Sequence, residues 1–97
     1  MQVVRHPKLA EDIRDAATHY GEISGRVLAA FWSELDSALA SIERNPRSHH
    51  FDSCGLRRAN LQKFPYHLLY EVEGELTYMV VLRHDRRHPG HGMERRG

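Results

Sequence analysis

Two apolar segments joined by a short polar turn constrain the fold of this chain more than any other feature. Residues 66–72 and 76–82 are apolar at nearly every position, as expected of central β-strands packed on one face and partly covered on the other. Glu73-Gly74 lies between them, and glycine adopts a turn conformation that other residues resist. The sequence therefore predicts an antiparallel β-hairpin that runs directly into a basic, histidine-bearing tail from Arg83 onward.

Two amphipathic helices are predicted before this hairpin. The first has one apolar stripe at helical spacing, formed by Leu9, Ile13, Ala16 and Tyr20. Gly21 is expected to end it, and the second helix is expected to stop at Asn45-Pro46, because a residue before proline disfavours the α conformation. Short strands are predicted at 2–5 and 56–61. The predicted class is α+β with the order β-α-α-β-β-β, an N-terminal helical hairpin packed on a small, mainly antiparallel sheet.

Length and composition exclude several classes of protein. The 97 residues are enough for one domain, 1–97, with a core that needs neither disulfides nor metal. No window approaches the roughly 18–20 apolar residues of a membrane span, and no apolar signal-peptide region follows the N-terminus. Cys54 is the only cysteine, so an internal disulfide is impossible and a reducing cytoplasm is the expected location.

Charge is distributed unevenly along the chain. Residues 1–45 have five Lys/Arg and seven Asp/Glu, whereas residues 46–97 have nine and six, together with six of the eight histidines. Such a bias is typical of a polarised surface whose basic part faces an anion. It is equally compatible with a solvated face that has no partner.

The hairpin is expected to gather basic side chains at one edge of the sheet. In an antiparallel pair the start of the first strand lies beside the end of the second, so Lys63 and residues 83–87 should meet there. The basic side chains expected around this edge are Arg57, Arg58, Lys63, His67, Arg83, His84, Arg86 and Arg87. Arginine forks hold a phosphodiester and stabilise its charge, and a histidine moves protons near neutral pH. The alternative is that these charges keep the sheet rim soluble and discourage edge pairing.

No metal or cofactor is expected. His84, His88 and His91 are spaced like possible ligands, but no Cys, Asp or Glu completes the set at a recognised spacing. Cys54 matches no nucleophile motif and is interpreted as an incidental loop thiol.

Three motifs together resemble the RelE/ParE superfamily of bacterial type II toxin–antitoxin systems, also called plasmid stabilisation proteins. They are Leu56-Arg57-Arg58, the run from Phe64-Pro65-Tyr66 to Tyr70-Glu71-Val72, and the ending His84-x-Arg86-Arg87-x-Pro89. The resemblance spans the whole chain. It implies a small cytoplasmic toxin that is neutralised by an antitoxin encoded beside it, as a possible homodimer or as a heterotetramer with the antitoxin.

The superfamily implies two different activities. RelE-like members are ribosome-dependent endoribonucleases, in which basic residues orient the mRNA phosphate and the ribose 2′-OH attacks it. ParE-like members bind and poison DNA gyrase and have no hydrolytic site. A degenerate member would bind its antitoxin and do little else.

The resemblance assigns roles residue by residue. Arg58 and Arg86 match basic positions of the nucleases, and His67 stands where those enzymes often have arginine, so these three are the catalytic candidates. Arg57, Lys63, Arg83, His84 and Arg87 are the binding candidates. Asn60 stands where the nucleases often have lysine, and Gly92 stands where an aromatic residue is common across the superfamily. The ending resembles the ParE-like branch more closely, so a gyrase-binding toxin is predicted, with the nuclease and the degenerate member as alternatives.

Overall fold

Two helices lie against a four-stranded mixed sheet in the computed structural model, which describes residues 2–96. The elements are β1 Gln2–Arg5, α1 Leu9–Ile23, α2 Gly25–Arg44, β2 Arg57–Asn60, β3 Tyr66–Glu73, β4 Leu76–His84 and a 3₁₀ turn at Met93–Arg95. The strand order is β1-β4-β3-β2, with β1 parallel to β4 and the other pairs antiparallel. The predicted α+β class and the order of the elements are confirmed.

The central hairpin places the two ends of the predicted basic edge side by side. β3 and β4 are joined by a two-residue turn at Gly74-Glu75, and Gly74 adopts the left-handed φ of +58° that a side chain resists. The turn lies one residue later than predicted, because Glu73 still pairs with Leu76. At the far end of the hairpin Tyr66 pairs with His84.

The two helices meet at a serine and not at the predicted glycine. α1 continues through Gly21, where a Cβ atom would still be in ordinary contact with Leu28 Cδ2, at 3.4 Å. Ser24 then separates the helices, and its hydroxyl accepts a hydrogen bond from the Val27 N–H at 3.1 Å. The predicted end of the first helix at Gly21 is wrong because this N-cap lies three residues further on. No helix within residues 2–96 is long and apolar enough to cross a membrane.

Both faces of the sheet are covered, which explains why β3 and β4 are apolar throughout. The helices cover one face, whose core includes Phe31, Leu35, Tyr70 and Met79. The other face is a smaller cluster of Leu56, Leu69, Val80 and Val81, with Cys54 and Met93 packed against it. The 3₁₀ turn that brings Met93 there was not predicted from the sequence.

Candidate functional site

Three of the predicted basic side chains meet where β3 begins and β4 ends. His67 on β3 pairs with Arg83 on β4, and the Asp85 N–H donates to the Pro65 carbonyl at 2.8 Å. Arg58 on the neighbouring β2 pairs with Leu69. Three adjacent strands therefore deliver the side chains of Arg58, His67 and Arg83 to one place.

Two aspartates join these three residues in what we call the charged cluster, formed by Asp52, Arg58, His67, Arg83 and Asp85. Arg58 Nη1 donates to Asp52 Oδ1 at 3.0 Å, and its Nη2 lies 3.6 Å from Asp85 Oδ1. Arg83 Nη2 lies 3.6 Å from Asp52 Oδ2, with the two side chains 4% and 7% exposed. The cluster therefore holds two guanidinium groups against two carboxylates, with no net charge while the histidine is neutral.

His67 is locked as a neutral imidazole. Its Nδ1 lies 2.7 Å from Asp85 Oδ1, and Arg83 Nε donates to its Nε2 at 3.1 Å. Because Nε2 accepts, the proton belongs on Nδ1 and points at the carboxylate. Burial lowers the pKa of His67, and the positive charges of Arg58 and Arg83 lower it further against the opposing effect of Asp85. A role in proton transfer would require one of these two hydrogen bonds to break first.

Asp52 is held as a carboxylate. Burial alone would raise its pKa, but hydrogen bonds from Cys54 and Arg58 and the charge of Arg83 outweigh burial and hold the pKa of Asp52 well below its usual range. The backbone N–H of Cys54 donates to its Oδ2 at 3.1 Å. The loop before β2 is thereby pinned to the cluster by a charged group.

Arg57, the first residue of β2, contacts the loop that precedes this strand and not the charged cluster. Its guanidinium donates to the carbonyl oxygens of Arg47 at 3.0 Å and His49 at 2.8 Å. It also stacks over the ring of Phe51, 4.2 Å from the centroid. The structure thus shows Arg57 anchoring its own loop, and its role in binding a partner stays a prediction.

The remaining candidates lie on the surface beside the cluster. Lys63 is exposed, and its backbone N–H donates to the carboxylate of Glu34 at 2.9 Å. His84 Nδ1 accepts the N–H of Arg86 at 3.0 Å, which shapes the turn after β4. The guanidinium groups of Arg86 and Arg87 are exposed, and neither has an ion-pair partner among residues 2–96. The side chain of Lys63 likewise has no ion-pair partner there, so Lys63, Arg86 and Arg87 are the predicted residues most available to a partner.

The two carboxylates were missed by the reading of the sequence. Asp85 directly follows β4 and lies between basic residues, so its carboxylate could have been expected to offset their positive charge. Asp52 comes from an irregular loop that carries no periodic signal. Within the described part of the chain no three His, Cys, Asp or Glu side chains are placed to hold a metal ion.

Acid is expected to destabilise the protein through this cluster. A lowered folded-state pKa for His67 means that the unfolded chain binds more protons, so stability is complete above about pH 6.5 and falls below it. Asp52 adds to the loss as the pH approaches its unfolded value of 3.8. The slope for one histidine is at most about 1.4 kcal/mol per pH unit. Urea unfolding between pH 8 and pH 5 measures it.

Two variants separate the contributions of His67 and His49 to this dependence of stability on pH. The pKa of His49 is also lowered, by burial and by the charges of His50 and Arg57. We expect His67→Gln and His49→Gln each to remove a different part of the slope between pH 7 and pH 5. An unchanged slope in His67→Gln would show that the imidazole titrates as it does in the unfolded chain.

A comparison with solved structures agrees with this fold. No protein-family model matches the chain, and no curated protein sequence matches it. Among solved structures, a chain of the chromosomal ParDE TA system from P. aeruginosa superposes with a TM-score of 0.72, over 87% of this chain and 95% of that one, at 17% identity. The chain therefore has the ParE-like fold that its sequence motifs predicted.

Proposed function

We propose that this chain is the toxin of a type II toxin–antitoxin pair, which inhibits growth by binding a core target such as DNA gyrase in the cytoplasm. An antitoxin encoded beside it neutralises it. The likeness to a chain of a ParDE TA system supports the toxin assignment. The observation that favours a binding toxin over a nuclease is the internal neutralisation of the charged cluster.

Binding a phosphodiester requires cationic side chains that are not already paired with carboxylates. Both arginines of the cluster face carboxylates at 3.0–3.6 Å, and an incoming phosphate would meet Asp52 and Asp85 as well. Repulsion from two carboxylates opposes the charge stabilisation on which such a reaction depends. Arg86 and Arg87 remain free, and exposed arginines suit recognition of an acidic protein surface.

The double variant Arg86→Glu/Arg87→Glu is expected to lose growth inhibition. Each reversal places like charges against the acidic surface, which weakens target binding by at least about tenfold. Stability should change by only about 0.5 kcal/mol, because both side chains are exposed. Growth after induced expression and inhibition of gyrase supercoiling measure the effect.

The matched control is Arg26→Glu/Arg44→Glu. It makes the same change in net charge at two exposed positions of α2, neither of which lines the cleft beside His84 and Arg87. It should inhibit growth like the parent protein. Equal loss of toxicity in both double variants would assign the effect to net charge and contradict a specific role for the tail.

The alternative function is a ribosome-dependent mRNA endoribonuclease. Its support is that Arg58 and His67 both contact Asp85, and that Arg86 follows Asp85 in the chain. A translating extract with primer extension on the reporter mRNA tests it, beside the supercoiling assay. Intact mRNA with blocked supercoiling is the expected result. New mRNA ends that require ribosomes and vanish with Arg86→Ala would replace the binding proposal with the nuclease.

A further inference from the structure

A polar cleft of about 410 Å³ lies between α1 and the segment that follows β4. Its volume is near the lower end of the range for small-molecule sites in proteins, about 300–1,000 Å³. Tyr66, His84 and His91, each half-buried, line it together with charged side chains. No residue of the charged cluster lines this cleft, so it is separate from the candidate site described above.

The two sides of the cleft differ in charge. The α1 side has the three carboxylates of Glu11, Asp12 and Asp15 and one lysine just before the helix, which together carry −2. The side after β4 has two arginines and one glutamate, which together carry +1. Glu11, Asp15 and Arg87 are exposed, and none of the three has an ion-pair partner within residues 2–96.

The phenol of Tyr66 lies near charges from both sides. Burial raises the pKa of Tyr66, while the charge of Arg87 lowers it and that of Asp15 raises it. The ring packs edge-on against the imidazole of His84, with the centroids 5.0 Å apart. Because His84 Nδ1 accepts the Arg86 N–H, its proton belongs on Nε2. A ligand beside Tyr66 would therefore find hydrogen-bonding groups as well as charges of both signs.

Arg95 gives an independent indication that the cleft takes a ligand. Its side chain lines the cleft and is only 7% exposed. Nη1 and Nη2 donate to Asp12 at 2.6 and 3.0 Å, whereas the buried Nε has no hydrogen-bond partner among residues 2–96. Buried donors without an acceptor are rare in native proteins. The acceptor that this donor lacks is an oxygen atom of a ligand or of a bound water molecule.

The presence of both charges decides the class of ligand. A simple anion would be attracted by Arg87 but repelled by Glu11 and Asp15, and a simple cation would meet the reverse. A molecule with an ammonium group at one end and a carboxylate at the other is attracted at both ends. We propose that the cleft binds such a short zwitterion, with its ammonium group at Glu11 and Asp15 and its carboxylate at Arg87. This inference does not depend on the proposed function.

Three compounds with the same carbon chain test the proposal. 6-Aminohexanoate carries both charges, hexanoate carries only the carboxylate, and hexylamine carries only the ammonium group. Each is titrated into the isotopically labelled protein at low ionic strength, where exposed charges are little screened, and amide chemical shifts are followed by NMR. We expect 6-aminohexanoate to shift the amides of Asp15, His84, Arg87 and His91, and to bind about tenfold more tightly than either single-charge compound.

Substitutions on the two sides of the cleft separate the two ends of the ligand. Glu11→Gln/Asp15→Asn should reduce the affinity for 6-aminohexanoate about tenfold, to that of hexanoate, and Arg87→Gln should reduce it to that of hexylamine. The matched controls are Glu22→Gln/Asp36→Asn and Arg26→Gln, which change exposed helix positions outside the cleft. They should leave the affinity within about twofold.

Three other outcomes would overturn the inference. Equal affinity for 6-aminohexanoate and hexanoate would make the cleft an anion site, and equal affinity for 6-aminohexanoate and hexylamine would make it a cation site. Chemical shifts that stay unchanged, or that change only outside the cleft, would show that these charges are merely solvated. None of these results affects the proposed toxin function, which growth and supercoiling measure separately.

Discussion

Asp52→Ala is expected to lower the free energy of unfolding by about 3–5 kcal/mol, because breaking a buried ion pair leaves its partner charged and unpaired. The Arg83 side chain is 4% exposed and would lose its carboxylate at 3.6 Å. Arg58 would lose its bond at 3.0 Å, and the Cys54 N–H would lose its acceptor at 3.1 Å. Urea unfolding at pH 7, followed by far-UV circular dichroism, measures the loss.

Two further variants define what the carboxylate contributes. Asp52→Asn keeps the shape and an acceptor for the Cys54 N–H but removes the charge, so it should fall between the parent protein and Asp52→Ala. Asp36→Ala, at an exposed position of α2 without an ion-pair partner in the described chain, should change stability by only about 0.5 kcal/mol. A loss below about 1 kcal/mol in Asp52→Ala would mean that water replaces the carboxylate at Arg83.

The basic edge was predictable because a hairpin is a local structure. Once two apolar strands and a glycine turn are recognised, antiparallel pairing places the start of β3 beside the end of β4. A register shift between Leu69 and Tyr70 then sets His67 opposite Arg83, one residue beyond the position that regular pairing from the turn would give. The same reasoning predicted that the segment before β3 meets the residues after β4, and the Asp85 N–H donates to the Pro65 carbonyl there. The position of Asp52 follows from no such local rule, because its loop is irregular and pairs with β2 only through Phe51 and Arg57.

The charge of this edge differs between the sequence and the structure. In the sequence the edge has a large excess of positive charge and resembles a phosphate site. In the structure, one carboxylate from the loop and one from the turn after β4 offset the two inner arginines, Arg58 and Arg83. The positive charge that remains unpaired among residues 2–96 is at Lys63, Arg86 and Arg87, on the surface. The spacing of basic residues along the strands is visible in the sequence, whereas their pairing with Asp52 and Asp85 becomes visible only in the folded structure.

The C-terminal segment shows the same limit. Met93–Arg95 is a single 3₁₀ turn, which is too short for any apolar periodicity to reveal it. Its position depends on Asp12, 83 residues away, through two hydrogen bonds from Arg95 at 2.6 and 3.0 Å. Gly92 allows the close approach, since a Cβ atom there would lie 2.9 Å from Val81 Cγ2.

Asp12→Ala is therefore expected to destabilise the protein by about 3 kcal/mol, near the lower limit for a broken buried ion pair. Asp12 accepts from Arg95 and also from the Leu82 N–H at 3.2 Å, so its removal leaves a guanidinium and a backbone donor without their acceptor. The loss should stay near the lower limit because Arg95 belongs to a single 3₁₀ turn, which can move and place the guanidinium charge in water. Urea unfolding measures the loss, with the exposed neighbour Glu11→Ala as control.

Movement of Arg95 into water in Asp12→Ala should have a second effect, which urea unfolding does not measure. The 3₁₀ turn would leave the sheet with it, and Met93 would uncover the cluster around Val80 and Val81. We expect amide exchange in the middle of β4 to accelerate in Asp12→Ala and to stay unchanged in Glu11→Ala. Lost stability with fully protected β4 amides would mean that Met93 holds this segment through apolar contact alone. The ion pair would then contribute stability without positioning the segment.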